Sequence, residues 1–176
     1  MMPALAHTPV LDTPRLVLRA PQADDLSAFV AYATSARTRF VGGPKTVAQA
    51  VEKFAGMIGQ WVLHGYGRFT LTRRDTGAPI GHVGPLMLAE AEMPEFTWSL
   101  WGADAEGQGF AQEAAQAVAV WAFGPLGLTQ ASTIIHAENT ASHRIAARLG
   151  GVQRPDWPAH FGADFTTYHF TKEAAL

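Results

Sequence analysis

Apolar and polar positions along the chain change period several times, and each change marks an element. Arg15-Leu16-Val17-Leu18-Arg19 alternates over a short run and predicts a first strand. Pro21 ends it, and Asp24 or Asp25 stands where a helix over 26–34 needs a cap. From Thr46 to about Leu63, the residues Val47, Val51, Phe54, Ile58 and Trp61 recur at steps of three or four, which predicts a second, amphipathic helix. The period then falls to two. Residues 67–72 and 80–84 read as strands joined through the turn Asp75-Thr76-Gly77. Glu95 to Trp101 reads as a strand with Glu95, Thr97, Ser99 and Trp101 on one face and Phe96, Trp98 and Leu100 on the other. A glycine-rich turn, Gly107-Gln108-Gly109, opens a helix from about Phe110 to Phe123, stopped by Gly124-Pro125. A strand over 131–137, a helix from Asn139 to Leu149 and closing strands near Val152 and over 165–170 complete the pattern. Hairpin-joined strands with helices covering the sheet give an α+β fold: one domain over 13–176, after a tail of residues 1–12.

Composition narrows the function classes. The chain has 176 residues, of which 48% are hydrophobic and 16% charged, so it holds a sizeable core and is not a disordered, charge-rich segment. Its net charge of −2 speaks against a nucleic-acid partner, which selects basic proteins. Cysteine is absent, which removes disulfides, thiolate zinc sites and a cysteine nucleophile, and fits a cytoplasmic protein. Residues 1–7 lack the basic start and apolar run of a signal peptide. The most apolar helical stretch, 114–128, contains Gln116 and is interrupted by glycine and proline, so no membrane span is expected. Seven histidines are scattered without a His-Glu-x-x-His pair or another strong zinc spacing, so no metal site is expected.

The strongest chemical signal is Glu106-Gly107-Gln108-Gly109-Phe110-Ala111, between a strand and a helix. The first turn of a helix leaves backbone N–H groups unpaired, and its dipole favours an anion. Glycines there remove the side chains that keep a phosphate at a distance. The turn lacks the Gly-Lys-Ser or Gly-Lys-Thr of a Walker loop, and Gln112 stands where a dinucleotide fingerprint needs its third glycine. A tight structural turn and an anion cradle both remain open on these residues alone.

Taken with this turn, several motifs in order resemble the GCN5-related N-acetyltransferases, and specifically their ribosomal-protein-acetylating (RimJ/RimL-type) branch. The family's pyrophosphate loop, Gln/Arg-x-x-Gly-x-Gly/Ala, is similar to Glu106, Gly109 and Ala111 at their spacing here. Glu106 departs from the family's aromatic, basic or amide residue, so a side-chain contact at that position is not carried over. Thr13-Pro14-Arg15-Leu16-Val17-Leu18-Arg19 resembles the branch's first strand. Ile80-Gly81-His82-Val83-Gly84 resembles its third. Asn139-Thr140-Ala141-Ser142, followed by Leu149-Gly150-Gly151, resembles its late Asn-x-x-Ser helix. Gly151 stands where the family usually has Phe. The resemblance implies a mostly antiparallel mixed sheet of about six or seven strands with splayed fourth and fifth strands.

It also implies acetyl-coenzyme A lying in that opening. The pantetheine arm would pair with the fourth strand, here Trp98, Ser99, Leu100 and Trp101. The pyrophosphate would meet Gly107, Gln108, Gly109, Phe110, Ala111 and Gln112. Asn139, Ser142 and Arg144 would complete the cofactor side. For Asn139, helix capping is an equal explanation; for Arg144, as for Arg148, so is a solvated helix face. The chemistry implied is direct attack of an amine on a thioester in a ternary complex. Glu95 resembles the family's base, with an edge-strand carboxylate facing water as the plain alternative. Ser142 resembles its hydrogen-bond donor to the thiolate, with a backward helix hydroxyl bond as the alternative. Tyr168 is read as a packing residue rather than as the acid. Trp61, Trp157, His160 and Phe161 would line the acceptor cavity, or be ordinary core aromatics.

One charge pattern bears on the acceptor. From Asp75 through His143 there is no Lys or Arg but there are eight acids, Glu90, Glu92 and Glu95 among them. A negative approach of this kind attracts a cationic amine. The expected partners are therefore acetyl-coenzyme A and an amine, either a protein N-terminus or a small molecule, with the protein a monomer or homodimer. A non-catalytic acyl-coenzyme A sensor on the same fold, and a glycine-turn protein with no coenzyme, are the competing readings.

Overall fold

The structure is a computed structural model that describes residue 5 and residues 8–157 and 162–175. An eight-stranded sheet runs in the order β1-β2-β3-β4-β5-β6-β8-β7. Its strands are β1 (Leu11–Asp12), β2 (Leu16–Arg19), β3 (Phe69–Arg73), β4 (Pro79–Leu86), β5 (Glu95–Leu100), β6 (Gln130–His136), β7 (Val152–Gln153) and β8 (Phe165–Thr171). The helices are α1 (Leu26–Ala33), α2 (Val47–His64), α3 (Phe110–Phe123), α4 (Thr140–Arg148) and the short α5 (Lys172–Ala175). The expected six or seven strands become eight because Leu11 and Asp12, inside the expected tail, pair with Leu18 and Val17.

Local chemistry fixes the helix ends. Thr46 caps α2, its hydroxyl accepting from the Gln49 N–H while the Gln49 side chain accepts from the Thr46 N–H. Gly65, in the left-handed conformation, ends it. Asp25 precedes α1 but does not cap it through its side chain. Its carboxylate instead takes a bidentate pair with Arg19 at 2.7 Å and the Gln22 N–H at 2.9 Å.

Strand alternation divides the interior in two. Leu16, Leu18, Phe69, Leu71 and Phe96 point from the sheet into one core, against Ala115, Val118, Ala119 and Ala122 of α3. On the other face, Phe29, Tyr32, Phe54 and Met57 of α1 and α2 pack with Trp101. The small alanines let α3 lie close over the sheet. Gly151, where the related motif has Phe, is pressed against its neighbours: a Cβ there would stand 2.7 Å from the Phe170 ring. The ring of Phe170, wholly buried on β8, fills that space.

Every neighbouring pair of strands is antiparallel except β5 and β6. Those two run parallel and meet at one register pair, Glu95 opposite Ser132, with the Ser132 N–H bonded to the Pro94 carbonyl at 2.9 Å. By contrast, β4 follows β5 from Glu95 to Leu100 without a break. The sheet therefore opens between β5 and β6 beyond Glu95.

Candidate active site

The opening is flanked by two cavities that share a wall. One, of about 600 Å³, runs between the loop before α3 and the face of α4. The other, of about 520 Å³, lies toward α1 and α2. Trp98, Ser99, Asn139 and Ser142 line both.

The first cavity is built by the glycine turn. Gly107 and Gly109 have φ of 71° and 80°, a left-handed conformation that costs other residues about 1–2 kcal/mol. That conformation turns the chain from the loop into α3, whose first helical bond runs from the Glu113 N–H to the Gly109 carbonyl. The N–H groups of Phe110, Ala111 and Gln112 precede that bond and are left for another acceptor. Gly107, Gly109, Phe110, Ala111 and Gln112 all line the cavity. Gln108 does not; its carbonyl accepts from Arg15 at 2.7 Å, and its amide bonds back to the Asp104 carbonyl. Glu113 holds Arg15 in turn, at 2.6 Å.

Arg37, Arg39, Arg144 and Arg148 line this cavity against Glu106 and Glu138. Arg37 pairs with Glu106 at 2.5 Å and reaches the Gly102 carbonyl at 3.2 Å, which ties the loop to the turn that follows α1. Its Nε and the Gln112 Oε1 are buried without a hydrogen-bond partner among the described residues. Glu106, the departure from the motif, thus serves as the arginine's partner. A row of free N–H groups with four arginines around it fits the phosphates of coenzyme A.

The wall between the cavities carries the candidate chemistry. Asn139 caps α4, its side-chain oxygen accepting from the Ser142 N–H at 3.2 Å. The capping explanation therefore holds, and the residue still faces both cavities. The Ser142 hydroxyl oxygen accepts from the Trp98 indole N–H at 3.0 Å. This bond spans the opening from β5 to α4 and leaves the hydroxyl proton to be donated. Backbone pairing adds a donor. Trp101 donates its N–H to the Ile80 carbonyl, so antiparallel alternation directs the main-chain groups of Ser99 and Thr97 toward β4. Those of Phe96, Trp98 and Leu100 point the other way, into the opening.

Glu95 lies where β5 and β6 part and lines the second cavity. Burial pushes its carboxyl up to about 7, although the Ile134 backbone N–H, Arg68 and Lys53 pull the other way. Arg68 precedes β3 and is 6% exposed; burial lowers it to about 10. Lys53, on α2, is lowered to about 8 by burial, with Arg68 and Lys45 adding repulsion. His82 is buried on β4, and burial together with Arg68 and Lys53 holds its imidazole well below the usual range. Its Nδ1 accepts from the Trp101 indole at 2.9 Å, so the neutral ring carries its proton on Nε2.

Several expected site residues lie elsewhere. Trp61 is a core residue: it packs on Phe69 and Trp121, and its indole donates to the Arg68 carbonyl at 3.1 Å. It lines neither cavity, although by fixing that carbonyl it holds the backbone that carries Arg68. Trp101 also lines neither, because its ring is spent on Phe29 and His82. Trp157 stacks between Arg154 and His169 away from both cavities. His160 and Phe161 lie outside the described residues. Tyr168 is buried, its hydroxyl bonded by His143 and Gln153. The sequence reading missed Lys53, Arg68 and His82 on the acceptor side, and Arg37 and Arg39 on the other.

The acidic run does not make an acidic approach. Glu106 and Glu113 are paired with arginines from distant parts of the chain, Asp75 with Arg73 two residues before it, and Glu90 and Glu92 line neither cavity. Among the described residues no group of three or more His, Asp or Glu is placed to hold a metal ion, and no helix is long and apolar enough to cross a membrane.

Comparison with known proteins agrees with this architecture. Residues 15–152 match the acetyltransferase (GNAT) domain family. The uncharacterised N-acetyltransferase YoaA of Bacillus subtilis is 29% identical over 150 residues, covering 81% of this chain and 82% of that protein. The crystal structure of an acetyltransferase from Agrobacterium tumefaciens superposes with a TM-score of 0.86 at 29% identity, over 97% of this chain and 98% of that one. A ribosomal-protein alpha-N-acetyltransferase solved in complex with coenzyme A shares the fold at 14% identity, with a TM-score of 0.75 over 94% of this chain and 99% of that one. With its splayed strands, glycine turn and matched span, the chain belongs to the GNAT acetyltransferase family.

Proposed function

We propose that this protein transfers an acetyl group from acetyl-coenzyme A to a primary amine by direct attack in a ternary complex. The observation that carries the reading is Glu95: a half-buried carboxylate near neutrality, placed where the sheet opens, in a cavity suited to a small acceptor that shares a wall with one suited to phosphates. Acetyl-coenzyme A supplies the activated acyl group. The amine arrives as an ammonium and must lose a proton before it is nucleophilic; Glu95, about half ionised at neutral pH, takes it. The Trp98 N–H, directed into the opening, stabilises the charge that develops on the acyl oxygen. Ser142 donates a hydrogen bond to the departing sulfur, and the Trp98 indole keeps its hydroxyl turned for that task.

The cradle is formed by Gly107, Gly109, Phe110, Ala111 and Gln112, with Arg144 and Arg148 toward the outer phosphates. Gln108 shapes the turn. Membership of the ribosomal-protein-acetylating branch would make a protein N-terminus the acceptor, and a small amine fits the same chemistry. A chain without cysteine suits a cytoplasmic site of action. The competing reading is an acyl-coenzyme A sensor, which would need the cradle but not Glu95 or Ser142.

Thiol release should be followed with acetyl-coenzyme A against peptides of varied N-terminus, polyamines, aminoglycosides and amino acids. Glu95→Gln and Ser142→Ala should lower turnover far more than they weaken coenzyme A binding measured by calorimetry. Turnover unchanged in both variants would remove their roles. Tight coenzyme binding with no turnover across the whole panel would favour the sensor.

A further inference from the structure

The second cavity has a charge problem that acetyl transfer to a simple amine does not resolve. Lys45, Lys53 and Arg68 line it, and among the described residues Glu95 is the one carboxylate that does. Lys45 donates to the Gly42 carbonyl at 2.9 Å. Arg68 has no such hydrogen bond, and Glu95 attracts it only from beyond ion-pair distance. Its side chain is almost wholly enclosed, its Nε has no hydrogen-bond partner, and among the described residues it pairs with no carboxylate. The contrast with Arg19 is direct: that guanidinium is also largely covered, and both of its arms are met by Asp25 at 2.7 Å. Leaving a buried guanidinium unmet is costly, whereas a planar oxyanion satisfies its fork with two parallel bonds.

Resting on the reading that this cavity takes the acceptor, we propose that the acceptor is a small amine bearing an oxyanion, a carboxylate or a phosphate, which docks on Arg68 with Lys53 beside it while its amino group meets Glu95. The cavity of about 520 Å³ bounds the compound to small-molecule size. Base and anion-binding groups line the same chamber, so the two ends of the acceptor are separated by a short spacer. A polyamine or a multiply cationic antibiotic would add positive charge to a chamber already in surplus.

Matched acceptors test this: an amino acid against its decarboxylated amine, an aminoalkyl phosphate against the corresponding amino alcohol, and spermidine. The measured quantity is kcat/KM in the parent, Arg68→Gln and Lys53→Glu. The expected result is a preference of about ten- to a hundredfold for the oxyanionic member of at least one pair, the size of a charge-assisted contact. Which pair shows it separates carboxylate from phosphate. The preference should collapse in Arg68→Gln and turn toward spermidine in Lys53→Glu. Equal or better turnover of the uncharged partners or of spermidine by the parent overturns the inference and leaves amine acetylation standing.

A second readout does not depend on turnover. Lys53 is labelled with limiting acetic anhydride in the coenzyme A-loaded protein and quantified by mass spectrometry, with succinate or inorganic phosphate titrated in. Saturable protection that is lost in Arg68→Gln supports the oxyanion site even if no amine is acetylated, in which case the transfer reading falls instead. No protection by either anion, with no preference in the assay, sinks the proposal. Should Arg68→Gln fail to fold by circular dichroism, the switch in Lys53→Glu carries the test.

Discussion

The two cavities are made in different ways. The coenzyme side is local: Gly107 to Gln112 are consecutive, their backbone provides the donors, and the arginines around them are at least partly open to solvent. The acceptor side is assembled from distant parts of the chain. Lys53 comes from α2, Arg68 from the residue before β3, His82 from β4 and Glu95 from β5. Main-chain donors on a helix end are insensitive to side-chain changes and suit a ligand common to a whole family. Buried charges held by packing are sensitive to every neighbour and suit discrimination between acceptors. Substitutions on the acceptor side should therefore change rate and pH dependence, and those on the coenzyme side should change affinity by smaller amounts.

The largest effect is expected from Glu95→Gln, about a hundred- to ten-thousandfold in turnover, with little change in coenzyme binding. The base works as the carboxylate, so parent activity should rise with pH through about 7, and this limb should vanish in the variant. Stability should move oppositely. The folded carboxyl is raised above its ordinary value of 4.5, so the folded state holds the proton more tightly and loses stability as pH rises from there through about 7. Glu95→Gln should then raise Tm more at pH 8 than at pH 5. A variant that is inactive yet no more stable at pH 8 would break the link between burial and basicity.

Ser142→Ala comes next, at about ten- to a hundredfold in kcat, read by steady-state kinetics with both substrates. Trp98→Phe keeps an aromatic ring, smaller than the indole, but removes the N–H from Ser142, and should cost about threefold in kcat with coenzyme affinity unchanged. On the coenzyme side, Gly109→Ala should lower stability by about 1–2 kcal/mol in urea unfolding. A Cβ there meets only ordinary contact with Arg15 at 3.5 Å, so the cost is conformational. Arg144→Ala and Arg148→Ala should each weaken coenzyme binding a few-fold at low salt and hardly at all at high salt. If either matched Glu95→Gln in effect on turnover, the division between the two cavities would fail.

The same contrast explains what could be read from sequence. The helix at Phe110–Phe123 agrees with its expected bounds because a glycine turn and a Gly-Pro stop are local signals. Asn139 as a cap and the strand face carrying Glu95 and Ser99 follow from spacing alone. Charge could not be read this way. A run without Lys or Arg suggested an acidic approach, but strands from other parts of the chain bring Arg15 and Arg68 to it, and the turn after α1 brings Arg37. One signal was present: Lys53 lies three residues after Ala50 and four before Met57, on the buried side of α2, where a lysine is unusual. Aromatics carried no such signal, because Trp61 and Trp101 fill core space as readily as they would line a pocket.

The parting of β5 from β6 also has a consequence for solvent exchange. The amides of Trp98 and Leu100 look into the gap, while those of Thr97 and Ser99 are engaged by β4. One strand thus carries two populations of amide hydrogens, alternating along its length. Deuterium should replace the first set quickly in the free protein. Filling the gap with an extended molecule that bonds along the edge should slow those positions and leave the alternate ones as they were.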